Sequence, residues 1–234
     1  LISCAEAPPY PDKIMLYRDW IRIFIDIACG LEHLHQHRII HFDLKPRNVL
    51  LDEYMSAKIA DFGCSKSKFD TYIELSRMAG TPPYLAPECW MLYYAQNCRT
   101  EVARVKIDVY SLGVIMWECL SGGSTLQSSL YKRTAAHSRS TSSVHPDHIE
   151  IRKDSKSSGE IHCILSFLRD LFSDGLQQWE MQYHLKEEIP EDLRRLVNAC
   201  VRVDFDARPT CEEILQTLRP MLNAHWVNQP VSLA

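Results

Sequence analysis

The segment at residues 108–120, DVYSLGVIMWECL, constrains the fold more than any other part of the sequence. Its pattern predicts a helix that is apolar on most of its faces. Because other elements must surround such a helix, we expect it in the middle of a hydrophobic core. The 234 residues suffice for one large domain or two small ones around that core.

Three further segments carry helix signals. Residues 19–37 place apolar side chains at helical spacing, and Asp19 is the predicted N-cap. A second amphipathic helix is predicted after Pro190, which suits a first helical turn. A third helix follows Thr210, which forms a capping box with Glu213. Most of the core is therefore predicted to be helical.

Strand signals are few and short. Two β-type runs, at 48–51 and 58–60, flank a turn that Asp52 and Glu53 open. Residues 61–88 contain several glycines and prolines and little periodicity, so we expect a long loop that is either functional or disordered. The predicted fold class is mainly α with short β-hairpins.

The remaining segments have weak patterns. Residues 1–18 are predicted to be an irregular leading segment, and 223–234 a C-terminal tail. Residues 121–158 are rich in serine, histidine and basic side chains and poor in large apolar ones. They cannot bury enough surface to offset chain entropy, so we expect a flexible insert.

Charge and cysteine content exclude several classes of protein. With 26 basic and 30 acidic residues the net charge is −4, which argues against a nucleic-acid or membrane partner. No apolar run approaches the roughly 20 residues that span a bilayer. The nine cysteines form no C-x-x-C pair and lie singly in apolar stretches, as reduced core cysteines do. We therefore expect a cytoplasmic protein.

A polar group at residues 41–48, HFDLKPRN, supplies the first candidate chemistry. The Asp43 carboxylate could orient an alcohol and accept its proton, and Lys45 could place positive charge beside a phosphoryl group. Asn48 could offer an oxygen ligand to a divalent metal. Taken singly, each residue has an ordinary structural role as well: a turn residue, a solvated lysine and a cap.

A second carboxylate follows eighteen residues later in Asp61-Phe62-Gly63. Asp61 ends a short apolar strand, where it could reach a metal. Gly63 permits backbone angles closed to other residues, so the segment could pivot. The alternative is a simple exit from strand to turn.

Five motifs in one order give these residues a family context. They are HFDLKPRN, DFG, GTPPYLAPE, DVYSLGV and ARPT, at 41–48, 61–63, 80–88, 108–114 and 207–210. From about residue 14 to 222, the insert apart, the chain resembles the C-terminal lobe of a protein kinase.

The resemblance implies ATP and Mg²⁺ as cofactors and a protein substrate with a Ser or Thr acceptor. Asp43 matches the catalytic base, and Asn48 and Asp61 match the two magnesium-binding positions. Lys45 matches a lysine of Ser/Thr kinases near the transferred phosphate. Thr81 matches a threonine that bonds near the catalytic loop and positions the substrate.

The resemblance also implies roles outside the chemistry. Leu50 would lie beneath the adenine ring. Glu88 would form a buried ion pair with Arg208. Asp108 would hold the backbone of the catalytic loop, and the rings of His41 and Phe62 would stack.

Two departures from the family pattern change the expectations. Phe42 stands where most kinases have an arginine that pairs with a phosphate on the activation loop, so we expect no activation by phosphorylation at Thr71 or Ser76. No Gly-rich loop or strand lysine precedes the first helix, so the N-terminal lobe is missing and the chain alone should bind ATP weakly. His33 and His35 do not replace that lobe and are expected on the helix surface.

The run DFGCS at 61–65 and the apolar Phe42 are similar to the Mos group of Ser/Thr kinases. That similarity implies an activator of a MAP kinase cascade, with a MAP kinase kinase as substrate. The alternative from another class is a catalytically inactive kinase-like scaffold or docking module. The joint presence of the four polar side chains favours the enzyme.

Overall fold

A computed structural model describes residues 15–67, 81, 84–89, 101–122 and 185–231. The chain divides into two compact units, one of residues 1–123 with 183–234 and one of residues 124–182. All described residues belong to the first unit. Several predictions lie outside the described residues: those for 1–14, Thr71, Ser76, Gly80 and the insert from 123 to 158.

The first helix, α1, spans Tyr17–Gln36 and begins two residues before the predicted start. Asp19 is therefore not the N-cap. It lies in the first turn, where its carboxylate accepts the backbone N–H of Leu16 at 3.0 Å. Most of the predicted apolar face is buried, namely Ile21, Phe24, Ala28 and Leu31, whereas Ile25 and Leu34 are half-buried.

Four short strands form two antiparallel pairs around the polar loop, residues 41–48. Strand β1 (Ile39–Ile40) pairs with β4 (Lys66–Ser67), and β2 (Val49–Leu51) pairs with β3 (Ala57–Ile59). The β2–β3 hairpin was predicted to within one residue. The β1–β4 pair was not predicted, because two-residue strands carry almost no periodic signal.

Helix α2 spans Glu101–Leu120 and contains the apolar segment from which the core was predicted. Every side chain from Lys106 to Leu120 is buried, which confirms its central place. Gly113 allows close packing here: a Cβ at this position would lie 2.7 Å from the Cβ of Cys200. The helix begins at Glu101, earlier than the predicted residue 108. The prediction missed this start because the first two turns of the helix do not share the apolar pattern.

Helices α3 (Glu191–Cys200) and α4 (Cys211–Met221) complete the described core. Helix α3 packs on α2, and α4 packs on α1. Pro190 is the N-cap of α3 and not part of its first turn. The Thr210 capping box is confirmed: its hydroxyl accepts the Glu213 N–H at 3.2 Å, and Glu213 accepts the Thr210 N–H at 2.7 Å.

The segment after α4 turns back onto the start of α1. Leu16 forms an antiparallel bridge with Pro230, and the backbone N–H of Tyr17 donates to Gln229 at 3.1 Å. The Tyr17 ring meets the Trp226 ring edge-on at 5.6 Å. These contacts tie the end of the described chain to its beginning.

None of the six described cysteines forms a disulfide; they are Cys29, Cys64, Cys89, Cys119, Cys200 and Cys211. Four of them are buried, as expected of core cysteines, whereas Cys64 and Cys29, which was also expected in the core, are half-buried. Among the helices of the described part, none is long and apolar enough to cross a membrane.

Candidate active site

The polar loop lies directly after β1 and is held by one buried carboxylate from α2. Asp108 accepts the backbone N–H groups of His41 and Phe42, each at 2.9 Å. Phe42 has φ of 71°, an uncommon value for a bulky residue. The two charge-assisted hydrogen bonds hold the strained backbone, so the predicted role of Asp108 is confirmed.

His35 is the second support of the loop and corrects an expectation. It was expected on the helix surface, but its Nε2 lies 2.9 Å from the Asp108 Oδ2. His33 is exposed, as expected. Because 73 residues separate His35 from Asp108, no local sequence pattern indicates the contact.

Asp43, Lys45 and Thr81 form a closed triangle of hydrogen bonds. Lys45 Nζ donates to Asp43 Oδ2 at 2.8 Å and to Thr81 Oγ1 at 2.9 Å. The Thr81 hydroxyl in turn donates to Asp43 Oδ1 at 2.8 Å. Each donor and acceptor is used in a consistent sense, so the triangle fixes the orientation of the Asp43 carboxylate.

Asn48 is buried at the end of the same loop and secures it from below. Its Nδ2 donates to the backbone carbonyl of Asp43 at 2.8 Å and approaches Asp43 Oδ2 at 3.4 Å. The short 3₁₀ turn Pro46–Asn48 places it there. Because the side-chain nitrogen makes these contacts, the side-chain oxygen of Asn48, Oδ1, is not needed to hold the loop.

Asp61 follows β3 in a left-handed backbone conformation, with φ of 62° and ψ of 75°. Its Oδ1 accepts the backbone N–H of Gly63 at 3.3 Å. The preceding residue, Ala60, donates its N–H to the backbone carbonyl of Asn48 at 2.8 Å. Asn48 therefore contacts Asp43 through its side chain and the residue next to Asp61 through its backbone.

Asn48 and Asp61 have the chemistry that Mg²⁺ requires. They offer an amide oxygen and a carboxylate oxygen, both hard ligands, from adjacent ends of the β2–β3 hairpin. Asp61 is exposed, so its carboxylate is accessible to an ion. Among the described residues no group of three or more His, Cys, Asp or Glu forms a metal cluster by itself. Two oxygen ligands leave room for phosphate and water oxygens.

The predicted contact between the His41 and Phe62 rings is present, but the rings meet edge-on and are not stacked. The rings of His41 and Phe62 lie 5.4 Å apart and 62° from parallel. His41 is fully buried, and its Nε2 donates to the Ala60 carbonyl at 3.0 Å. Phe62 is 48% exposed. This ring contact therefore links the polar loop to the segment that carries Asp61.

The predicted buried ion pair is present as well. Arg208 donates to both carboxylate oxygens of Glu88, at 2.6 and 2.7 Å. The same guanidinium donates to three backbone carbonyls, those of Lys106, Arg202 and Val203. This bidentate pair joins the segment after Thr81 to the turn before α4.

Tyr84 and Glu118 form a further polar contact that the sequence did not indicate. The Tyr84 hydroxyl donates to Glu118 Oε2 at 2.6 Å. Burial raises the pKa of Glu118, and the Tyr84 hydrogen bond lowers it in part. Ser111 donates to the Tyr84 carbonyl at 2.8 Å, so α2 holds this segment at two points.

The remaining predicted positions lie as follows. Leu50 is half-buried on β2, opposite Lys58 in the hairpin. Phe42 is buried and presents no charge toward solvent. The structure thus brings Asp43, Lys45 and Thr81 into direct contact, and Asn48 contacts Asp43. Asp61 directly follows Ala60, whose backbone N–H donates to the backbone carbonyl of Asn48.

Comparisons with known proteins identify the family of the chain. The family described as protein kinase domain matches residues 11–218. The chain is 42% identical over 120 residues to receptor-like kinase TMK4 of Arabidopsis thaliana, which is 50% of this chain and 12% of that protein.

Two other relatives carry different names. The leucine-rich repeat receptor-like serine/threonine/tyrosine-protein kinase SOBIR1 of Arabidopsis thaliana is 48% identical over 100 residues, 41% of this chain and 14% of that protein. Mitogen-activated protein kinase kinase kinase 13 of Pongo abelii is 42% identical over 105 residues, 43% of this chain and 10% of that protein. The matched segments therefore span only a small part of these relatives.

Proposed function

The chain belongs to the protein kinase domain family, and on that premise we propose that it transfers the γ-phosphate of ATP to Ser or Thr hydroxyls of a protein substrate. One observation carries the proposal: the hydrogen-bonded triangle of Asp43, Lys45 and Thr81. Phosphoryl transfer needs positioned charge more than covalent help from the protein, and this triangle is positioned charge.

Asp43 acts as the base. A carboxylate offers about four acceptor positions, and three of them are used by Thr81, Lys45 and Asn48. The remaining position accepts the hydrogen of the substrate hydroxyl. Because the carboxylate is already fixed, the attacking oxygen is oriented without further loss of side-chain freedom.

Lys45 supplies positive charge beside the transferred phosphoryl group. Its ammonium is held at 2.8 Å from Asp43, so it lies next to the attacking oxygen. Such a contact stabilises charge that develops in the transition state. Thr81 holds both partners and sets the distance between them, which suits a substrate-positioning role.

Asn48 and Asp61 are the residues that would hold magnesium, and Leu50 would lie against the adenine. A bound Mg²⁺ supplies positive charge that neutralises the phosphate oxygens during transfer. The exposed Asp61 carboxylate and the Asn48 carbonyl oxygen support this assignment.

We extend the proposal to partners and place. One relative is named as a mitogen-activated protein kinase kinase kinase, which supports a MAP kinase kinase as the substrate class. The relatives reported above include no Mos kinase, so the Mos-like assignment rests on Phe42 and the DFGCS run alone. The free thiols suit a reducing compartment, which supports a cytoplasmic location for this domain.

Phe42 supports a second part of the proposal, that activity does not depend on activation-loop phosphorylation. Its side chain is buried and apolar, and it cannot pair with a phosphate at Thr71 or Ser76. Phosphatase treatment should leave the rate unchanged. A loss of most of the activity on dephosphorylation at either position would overturn this part.

The decisive experiment measures phosphate transfer from ATP to a generic protein substrate by the full-length protein that contains this chain. We expect Asp43→Asn to lower kcat about a hundredfold or more and to leave the unfolding midpoint within a degree or two. The exposed Asp204→Asn is the matched control. Phosphoamino-acid analysis of the product tests for Ser and Thr. An inactive wild type that still binds partner proteins would favour the scaffold instead.

A further inference from the structure

The buried thiol of Cys211 contacts His35, which contacts Asp108, the carboxylate that holds the polar loop; this loop is called the catalytic loop below. Cys211 Sγ is 3.6 Å from His35 Nδ1, and His35 Nε2 is 2.9 Å from Asp108 Oδ2. Asp108 holds the backbone of His41 and Phe42. A continuous line of hydrogen bonds therefore runs from Cys211 to the residue before Asp43.

The direction of each bond follows from the donors available. The Asp108 carboxylate accepts two backbone N–H groups, so it is an acceptor toward His35 too, and the proton lies on Nε2 of that ring. In the neutral ring Nδ1 then carries a lone pair. Only a donor can satisfy it, and the atom in contact with it is the Cys211 sulfur.

Cys211 is suited to donate. Burial is the main cause that raises the pKa of its thiol, and the negative charge of Asp108 raises it further. The sulfur therefore keeps its proton, which it can place on the line toward Nδ1. The position of the thiol is fixed as well, because Cys211 is the first residue of α4 and lies between Thr210 and Glu213, the two members of the capping box.

We propose that Cys211 is a positioning residue, whose S–H donates to His35 Nδ1 and so holds the His35 ring with Nε2–H on Asp108 and the catalytic loop in place. The inference deepens the proposed kinase function and rests on it for the activity readout alone. Loss of the donor leaves Nδ1 unsatisfied and lets the ring turn away from Asp108. The strained backbone at Phe42 then loses part of its restraint.

The test uses three variants of the full-length protein. Cys211→Ala removes the donor, and Cys211→Ser restores a donor of similar size. Cys29→Ala is the matched control, because Cys29 also places a sulfur between α1 and α4, 3.9 Å from the Arg219 guanidinium. An unfolding curve for each variant identifies any that fails to fold.

Two readouts need no catalysis. With ¹⁵N-labelled histidine, Nδ1 of His35 should show the shift of a hydrogen-bonded lone pair in the wild type and in Cys211→Ser, and of a free lone pair in Cys211→Ala. Amide hydrogen exchange at Phe42 should be about fivefold faster in Cys211→Ala only, since one ordinary hydrogen bond is lost. An unchanged Nδ1 shift and unchanged exchange in Cys211→Ala would overturn the proposal.

The third readout is kinetic. We expect Cys211→Ala to lower kcat about fivefold with KM for ATP unchanged, and Cys211→Ser to recover most of the loss. If Cys211→Ala changes the Nδ1 shift but neither exchange nor kcat, the link to the catalytic loop is wrong. If the wild type transfers no phosphate, the proposed function fails, while the first two readouts still decide the positioning role of Cys211.

Discussion

Both carboxylate oxygens of Asp108 hold the backbone beside the candidate base: Oδ1 accepts the N–H of Phe42, and Oδ2 accepts that of His41. In this geometry Phe42 has a left-handed backbone conformation, with φ of 71°. Left-handed backbone at a bulky residue costs about 1–3 kcal/mol and persists only where the surroundings enforce it. A fully buried carboxylate with three donors is such an enforcement.

Asp108→Asn should therefore weaken both the fold and the site. The amide group places a donor where the carboxylate accepts from His35 and His41, so at least one buried hydrogen bond is lost. We expect the free energy of unfolding to fall by about 1–3 kcal/mol and kcat to fall at least tenfold. Chemical denaturation and phosphate-transfer rates measure the two effects. Glu187→Gln, in an exposed turn, should change neither; equal effects of both substitutions would contradict the interpretation.

Thr81 allows a test of the triangle that spares the base. Thr81→Val removes the hydroxyl and keeps the shape, so Asp43 and Lys45 lose their common partner. We expect kcat to drop about tenfold, the size that follows from losing one hydrogen bond to a charged group. Thr81→Ser should restore most of the rate. If Val and Ser behave alike, the hydroxyl has no part in orienting Asp43.

The sequence was sufficient for the elements with strong periodicity or a specific cap. The apolar segment 108–120 predicted the central helix, and the Thr210–Glu213 box predicted the start of α4 to the residue. The start of α1 was predicted two residues late, because an aspartate near a helix start can be the N-cap or, as Asp19 is, the third helical residue, whose carboxylate accepts the N-cap N–H. Local patterns do not distinguish these two uses of one carboxylate.

The site was less predictable than the fold. Motif order identified Asp43, Lys45, Asn48, Asp61 and Thr81, and the structure brings the first three together with Thr81. It could not identify His35 or Cys211 as supports, because their contacts join residues 73 and 176 positions apart. Neither residue carries a local signal that separates a buried hydrogen bond from ordinary helix surface or core.

The buried pair of Glu88 and Arg208 should be a strong determinant of stability. Glu88→Ala leaves the guanidinium without its counter-charge in the core, which typically costs about 3–5 kcal/mol. The double variant Glu88→Ala with Arg208→Met should lose less than the sum of the single losses, since no uncompensated charge remains. Urea denaturation of the four proteins measures the difference. Strict additivity would show that the two side chains do not interact.

Two helical glycines should respond in opposite ways to alanine. At Gly113 a Cβ would meet Cys200 Cβ at 2.7 Å and Val201 Cγ1 at 2.8 Å, atoms close to the backbone that cannot give way. At Gly30 the new Cβ would meet the far end of the Ile59 side chain at 2.9 Å, which can rotate. We expect Gly113→Ala to destabilise by about 1–3 kcal/mol.

Gly30→Ala should be nearly neutral, because alanine is the better helix former by about 1 kcal/mol and offsets the rearrangement of Ile59. Thermal unfolding of both variants measures the contrast. A larger loss at Gly30 than at Gly113 would contradict the packing described for α2 and α3.

Glu118 and Glu213 should give stability opposite dependences on pH. Burial raises the pKa of Glu118 above its ordinary value of 4.5, so between that value and the raised pKa the folded state binds more protons than the unfolded state. Stability from this group is therefore present at low pH and lost as pH rises. For the exposed Glu213, the backbone hydrogen bond from Thr210 lowers the pKa, so its contribution is present above pH 4.5 and lost as pH falls.

Glutamine at either position removes the titration and keeps an acceptor for Tyr84 or Thr210. The free energy of unfolding of the wild type minus that of Glu118→Gln should fall as pH rises above 4.5, because the buried charge is present in the wild type alone. The corresponding difference for Glu213→Gln should rise with pH through the acid range below 4.5. Denaturation curves at several pH values decide the matter. Slopes of the same sign would mean that Glu118 is not desolvated by its place beside Tyr84 in the core.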